Sequence, residues 1–178
     1  MNFIQKYNIN KQLGRFVKHK KKEGVQVCSW KQAQNICLLY TFETAQQLQE
    51  LTDLLVSLRK KKNNIIMYCY ISEKEKMLFE NSADTYFISE KDFGFSGILR
   101  REKRVILQKQ FFDILIHIDK EPSLFSLCLS AEINAKFRIG QNENTKKYND
   151  IIIYSSNERY GFEDYFQSIE KYTEKIIS

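Results

Sequence analysis

The chain has 178 residues, 28 of them lysine or arginine against 22 aspartate or glutamate, with 43% hydrophobic and 13% aromatic residues, six glycines and one proline. That apolar content is too high for a disordered chain and the glycine and proline content too low for long flexible linkers, so a single domain with its own core is expected. No run approaches the roughly 20 apolar residues of a membrane span, the first sixteen residues hold no signal-peptide core, and the four cysteines show no C-x-x-C spacing, so the chain reads as cytoplasmic with reduced thiols.

The positive charge sits at one end. Residues 1–24 carry Lys6, Lys11, Arg15, Lys18, Lys20, Lys21 and Lys22 against the single acid Glu23, which leaves 21 basic and 21 acidic residues for the rest. Phe3, Ile4, Tyr7, Ile9, Leu13, Phe16 and Val17 recur at three- and four-residue steps, a spacing that predicts an amphipathic basic helix, weakened by Gly14. Its apolar stripe either packs on the domain and leaves the lysines solvated, or the seven cations meet an anionic membrane surface or a protein partner. Nucleic acid is not expected, because no extended basic face continues into residues 25–178.

From there the chain alternates. "NICLLYT" (35–41) and "NIIMYCYI" (64–71) are uninterrupted apolar runs of the kind found in strands covered on both faces, and "ETAQQLQELTDLLVSLRKKK" between them has helical leucine spacing. Residues 72–111 read as irregular with one edge strand near 85–88, and Asp92-Phe93-Gly94 as a chance match to a kinase metal turn, since no partner motif accompanies it. "FDILIHID" supplies a third strong strand over 113–119, a helix follows from Pro122, and "AKFRIG" (135–140) and "DIIIYSS" (150–156) are two further strands. The gap between these last two is too short for a crossover helix, so one of them is an edge strand or pairs antiparallel. "GFEDYFQSIEKYTEKIIS" closes as a helix with Phe162, Tyr165, Phe166, Ile169, Tyr172 and Ile176 facing inward. The fold predicted is a three-layer, Rossmann-like α/β domain over 25–178, with a mainly parallel sheet of about five strands, preceded by the basic helix of residues 1–24.

The aspartate-bounded strand, the leucine- and alanine-containing helix, "AKFRIG", the basic start and the late Asp-Ile-Ile-Ile strand together resemble an uncharacterised family of short proteins from Bacteroidota, a domain of unknown function. That resemblance carries no activity over to any residue. Residues 111–140 are also locally similar to the N-terminal half of heptosyltransferase-like glycosyltransferases, with Asp113, Ile116, Asp119, Arg138, Ile139 and Gly140 in corresponding places. Those enzymes have a Gly-Asp pair after their first strand, where this chain reads "YTFET", and a second α/β half for the sugar nucleotide, for which these 178 residues leave no room.

The candidate chemistry is sparse. There is no glycine-rich phosphate loop, so no nucleotide cofactor is expected, and His19 and His117 lack the neighbours of a metal site. Small ligands of open parallel sheets bind beyond the carboxyl ends of the strands, which selects Thr41, Glu43, Asp119, Ser155 and Ser156 as candidate ligand residues. Their alternative role is capping and turn formation. The function expected is a non-enzymatic interaction module, peripheral to the inner membrane through residues 3–22; the alternative is a small ligand-binding or glycosyltransferase-like domain using that crevice.

Overall fold

Alternate residues of "NICLLYT" are buried on opposite sides of a sheet, Ile36, Leu38 and Tyr40 in one apolar cluster and Cys37 and Leu39 in the other. The run is apolar throughout because helices cover both faces. The computed structural model describes residues 1–60, 64–154 and 161–177. Within them β1 (Asn35–Thr41), β2 (Asn64–Tyr70), β3 (Thr85–Ile88), β4 (Phe111–His117), β5 (Asn134–Gly140) and β6 (Ile151–Ile152) form one sheet in the order β3-β2-β1-β4-β5-β6, every pair parallel. The three long apolar runs are thus adjacent central strands.

Helices α2 (Ala45–Arg59) and α6 (Phe162–Ile177) cover one face; α1 (Phe3–Glu23), α4 (Arg101–Lys109) and α5 (Leu124–Glu132) cover the other, and α3 (Glu73–Lys76) is a single turn after β2. Helix α2 starts where Thr44 Oγ1 accepts the Gln47 amide proton at 3.2 Å, and it buries Leu48, Leu51, Leu55 and Leu58 at three- and four-residue steps. Ser123 caps α5 in the same way, one residue after Pro122, by accepting from the Ser126 amide.

The sheet has six strands where about five were expected, and the additional order lies at its edges. The span 72–111, expected to be irregular apart from its edge strand, contains α4 as well. Its sequence "REKRVILQK" buries only Leu107, a face too narrow for the apolar periodicity to show, yet a parallel sheet requires a crossover between β3 and β4 and α4 lies on that path. At the opposite edge, β6 pairs parallel over two residues only, Ile139 with Ile151 and Gly140 with Ile152. Because that pairing sits at the carboxyl end of β5, the chain need not travel back along the strand, and a short loop with one 3-10 turn (Glu143–Thr145) suffices. In α6, Tyr172 and Ile176 are about half exposed, contrary to their expected inward placement. The inner position goes to fully buried Thr173, whose hydroxyl accepts the Trp30 amide proton at 3.0 Å and donates to the Ile169 carbonyl at 2.8 Å.

Candidate functional site

After β1 the chain moves outward to β2 and β3 and then crosses back to β4 on the other side of β1, so β1 and β4 flank the switch in strand order where ligands of such sheets bind. Two of the residues expected there, Thr41 and Asp119, are bonded to each other. The Asp119 carboxylate accepts from the Thr41 amide at 2.6 Å and from its hydroxyl at 2.5 Å. It also accepts from Ser126 Oγ at 3.0 Å and lies 3.0 Å from His117 Nε2, which is itself 2.8 Å from Ser126 Oγ. A proton on Nε2 satisfies this triangle, a tautomer assigned from the network.

Serine, histidine and aspartate also make up hydrolytic triads, but there the imidazole bridges the other two through its two different nitrogens. Here one nitrogen faces both partners, and Ser126 and His117 are buried from solvent. Burial pushes the Asp119 carboxyl up, yet the hydrogen bonds from His117 and Thr41 outweigh it and hold the group below the usual aspartate range. The arrangement joins the carboxyl ends of β1 and β4 to the first turn of α5. At the other end of the same strands Asp113 does similar work, accepting the amides of Gln34 and Asn35 at 3.0 and 3.1 Å and pairing with Lys136 at 2.9 Å.

A cleft of about 180 Å³ opens above this lock. Gln47 and Glu50, one turn apart on α2, line the cleft together with Glu43, which precedes the Thr44 cap; Ile118, Lys120 and Gln141 also line it, and Tyr40 and Phe162 meet there edge to face at 5.9 Å. Glu43 is therefore at the expected crevice and solvent-exposed, while Asp119 reaches the lining with a buried carboxylate. Ser155 and Ser156 lie outside the described residues. The sequence does not single out Gln47, Glu50, Lys120 or Gln141; the three-residue step between Gln47 and Glu50, at the start of the helix that follows β1, is the signal that marks the first two. Among the described residues no group of three or more histidine, cysteine, aspartate or glutamate side chains converges as a metal site would require.

The cationic residues of α1 fall on two sides. Ile9 and Leu13 are fully buried in the cluster shared with α5, and Phe16 and Val17 pack against it. Lys20 is on this inner side too, mostly buried and 2.6 Å from Asp150. Phe3, Ile4 and Tyr7, expected on the same stripe as Ile9 and Leu13, are instead 84%, 50% and 59% exposed. The reason is angular: Ile4 precedes Ile9 by five residues, about 140° round a helix of roughly 100° per residue. Those three apolar groups share the exposed side with Lys11, Arg15, Lys18, Lys21 and Lys22, apolar turns first and cationic turns after, while Lys6, though exposed, falls on the stripe of Leu13, seven residues on. No helix among the described residues is long and apolar enough to cross a membrane.

Comparison with known proteins bears on the fold. The model of a family of unknown function, DUF6913, matches residues 2–176. No curated protein matches the sequence. Among solved structures, a glycosyl transferase family 9 protein from Veillonella parvula aligns at 16% identity over 83% of this chain and 42% of its own, with a TM-score of 0.47. The E. coli heptosyltransferase WaaC with ADP aligns at 11% identity over 76% of this chain and 46% of its own (TM-score 0.49), and WaaC with ADP-2-deoxy-2-fluoro heptose at 10% over 76% and 47% (TM-score 0.50). This chain spans less than half the length of each, and the likeness is one of fold.

Proposed function

We propose, on the premise that this chain belongs to the DUF6913 family, that it is a non-enzymatic interaction module which docks on an anionic membrane surface through the outer side of α1. The observation that carries this reading is the company kept by the cations. Phe3, Ile4 and Tyr7 stand in solvent on the side that carries Lys11, Arg15 and Lys18, while Ile9 and Leu13 fasten the helix to the domain. Lysines that merely keep a protein soluble need no apolar residues among them, and contacts to nucleic acid phosphates need none either. A bilayer uses both, since apolar side chains enter the acyl boundary and each near-surface cation adds about 1 kcal/mol of attraction to acidic lipid.

The buried state of Asp119 supports the non-enzymatic part, because a general base must reach the atom it deprotonates. Cosedimentation of the full chain with vesicles tests the proposal. Binding is expected to vesicles containing phosphatidylglycerol or phosphatidylserine, to weaken with salt, and to drop with Lys11→Glu/Lys18→Glu; equal pelleting with neutral vesicles would overturn it. The variants stay on the surface because Ile9 and Leu13 make removal of α1 a core deletion.

The cleft supports a second reading, a ligand-binding domain of glycosyltransferase-like ancestry. Glu43 and Glu50 outnumber Lys120 in its lining, which disfavours a diphosphate and favours a neutral polyhydroxylated ligand held by the carboxylates and by Gln47 and Gln141. Ligand-observed NMR with monosaccharides and with ADP tests it: saturation transfer to neither sugar nor nucleotide would remove this reading.

A further inference from the structure

The turn that follows β3 has properties that residue-by-residue charge counting does not reveal. Phe93 and Leu99 pair as an antiparallel bridge and are both buried, the Gly94 amide donates to the Ile98 carbonyl at 2.8 Å, and the Gly97 amide donates to the Gly94 carbonyl at 2.9 Å. These bonds close a tight turn with Phe95 at its tip, 76% exposed. One exposed aromatic residue is ordinary by itself; what sets Phe95 apart is a well-bonded turn that holds it beside cationic groups.

The turn is fixed beside α1. Gly97 has φ +78°, and a Cβ there would lie 3.0 Å from both Cα and Cβ of Gln5, so only glycine lets the loop backbone approach the first turns of the helix. Ile98 lines a groove of about 270 Å³ together with Lys11, Arg15 and Arg104. The turn therefore runs along the flank of α1 that carries Lys11 and Arg15, and it leads straight into Arg100, Arg101, Lys103 and Arg104 at the start of α4. Glu132 is the acid of the groove, and its carboxylate is engaged by the side-chain amides of Gln12 and Gln108. Among the described residues no carboxylate forms an ion pair with Lys11, Arg15, Arg100 or Arg101, whereas Arg104 interacts electrostatically with the Glu132 carboxylate and Lys103 has Asp92 at 3.7 Å. The neutral balance of residues 25–178 thus hides a local basic patch that folding brings against the basic helix.

We infer that the Phe95 turn and the Arg100, Arg101 and Arg104 cluster form a second membrane contact, which together with α1 makes one composite surface for a bilayer of anionic phospholipid. This rests on the proposed docking of α1 and adds its second half. Phe95 enters the acyl boundary as Phe3 does, and the arginines, whose planar forks suit phosphate oxygens, hold headgroups beside it. A contact held at the flank of α1 also orients the domain, which one helix alone would leave free to roll.

Two measurements on the full chain test this apart from the α1 reading. With Phe95→Trp, emission is expected to shift to the blue and to be quenched by brominated lipid in phosphatidylglycerol vesicles; buried Trp30 supplies the constant background. With Phe95→Ser/Arg101→Glu, partitioning into the same vesicles is expected to fall by about tenfold or more, the scale of losing one buried aromatic side chain and reversing one cation, at unchanged melting temperature. Unshifted Phe95→Trp emission and wild-type partitioning of the double variant, with binding still lost in Lys11→Glu/Lys18→Glu, would overturn the second contact and leave the helix reading intact. Wild-type binding in both double variants would overturn both. Saturable binding of inorganic phosphate with no vesicle binding would overturn the bilayer as occupant.

Discussion

The carboxylate of Asp119, two residues beyond β4, takes both the amide and the hydroxyl protons of Thr41, the last residue of β1, at 2.6 and 2.5 Å. Strand pairing between β1 and β4 runs from Ile36 with Ile114 to Leu39 with His117, and the Ile118 amide then donates to the Leu39 carbonyl. Asp119 extends the ladder past the point where the two chains part toward different faces. A side chain thereby does what backbone pairing no longer can, at the place in the sheet where the crevice opens.

Asp119→Asn is expected to destabilise the protein by about 2–4 kcal/mol, because the amide nitrogen turns one acceptor into a donor facing Thr41, Ser126 and His117 in a buried setting. Thr41→Val, which removes one donor and keeps the backbone bond, should cost less, about 1–2 kcal/mol. Urea unfolding of both variants decides this. A loss under 1 kcal/mol for Asp119→Asn would show that the lock contributes little.

The same lock has a pH signature. The folded carboxyl lies below the ordinary aspartate value of 3.8, so on acidification the unfolded chain takes up this proton first. Its stabilising contribution is complete above that ordinary value and is lost as pH falls through the depressed folded one. The stability gap between wild type and Asp119→Asn should accordingly be widest near neutral pH and narrow below about pH 4. Urea midpoints measured from neutral to strongly acidic pH would show it, and a gap that stays constant with pH would refute a charged Asp119 as the source.

Much of this architecture was legible because it depends on local pattern. The central strands are continuous apolar runs, α2 carries its leucine periodicity and its cap in its own residues, and α5 its apolar majority and its cap. What escaped depends on neighbours distant in sequence. Helix α4 shows one buried leucine and is specified mainly by the need to cross the sheet. Thr173 displaces Tyr172 from the inner side of α6 because the Trp30 amide needs an acceptor there. From sequence Asp119 is a helix cap or a ligand group, since nothing within a few residues shows that Thr41, 78 positions earlier, is its partner. The arginines after Phe95 are a local basic run that the neutral balance of residues 25–178 masks, and they come to lie beside α1 only once Gly97 lies against Gln5.

Two glycines should respond in opposite directions. Gly14 is on the exposed side of α1 with no atom within 4 Å of where a Cβ would stand, so Gly14→Ala should stabilise by about 0.5–1 kcal/mol through backbone entropy. Gly97→Ala meets a φ of +78° and the Gln5 backbone, and should cost about 1–3 kcal/mol. Thermal melts of the two variants compare them directly; a stabilised Gly97→Ala would mean that the turn does not press on α1.

The division of α1 into an inner and an outer side makes the sharpest stability contrast. Leu13 is buried in the cluster with α5, and Leu13→Ala removes methyl groups from a packed site, which typically costs about 2–5 kcal/mol. Tyr7, six residues earlier and larger, stands mostly in solvent, and Tyr7→Ser should change stability by no more than about 0.5 kcal/mol. In vesicle binding the order reverses, because the outer residue is the one offered to the bilayer: Tyr7→Ser should weaken partitioning while Leu13→Ala, assayed well below its melting temperature, should leave it near wild type. Chemical denaturation paired with cosedimentation separates the two effects. Equal losses of stability in both variants would place Tyr7 in the core and remove the apolar half of the proposed membrane surface.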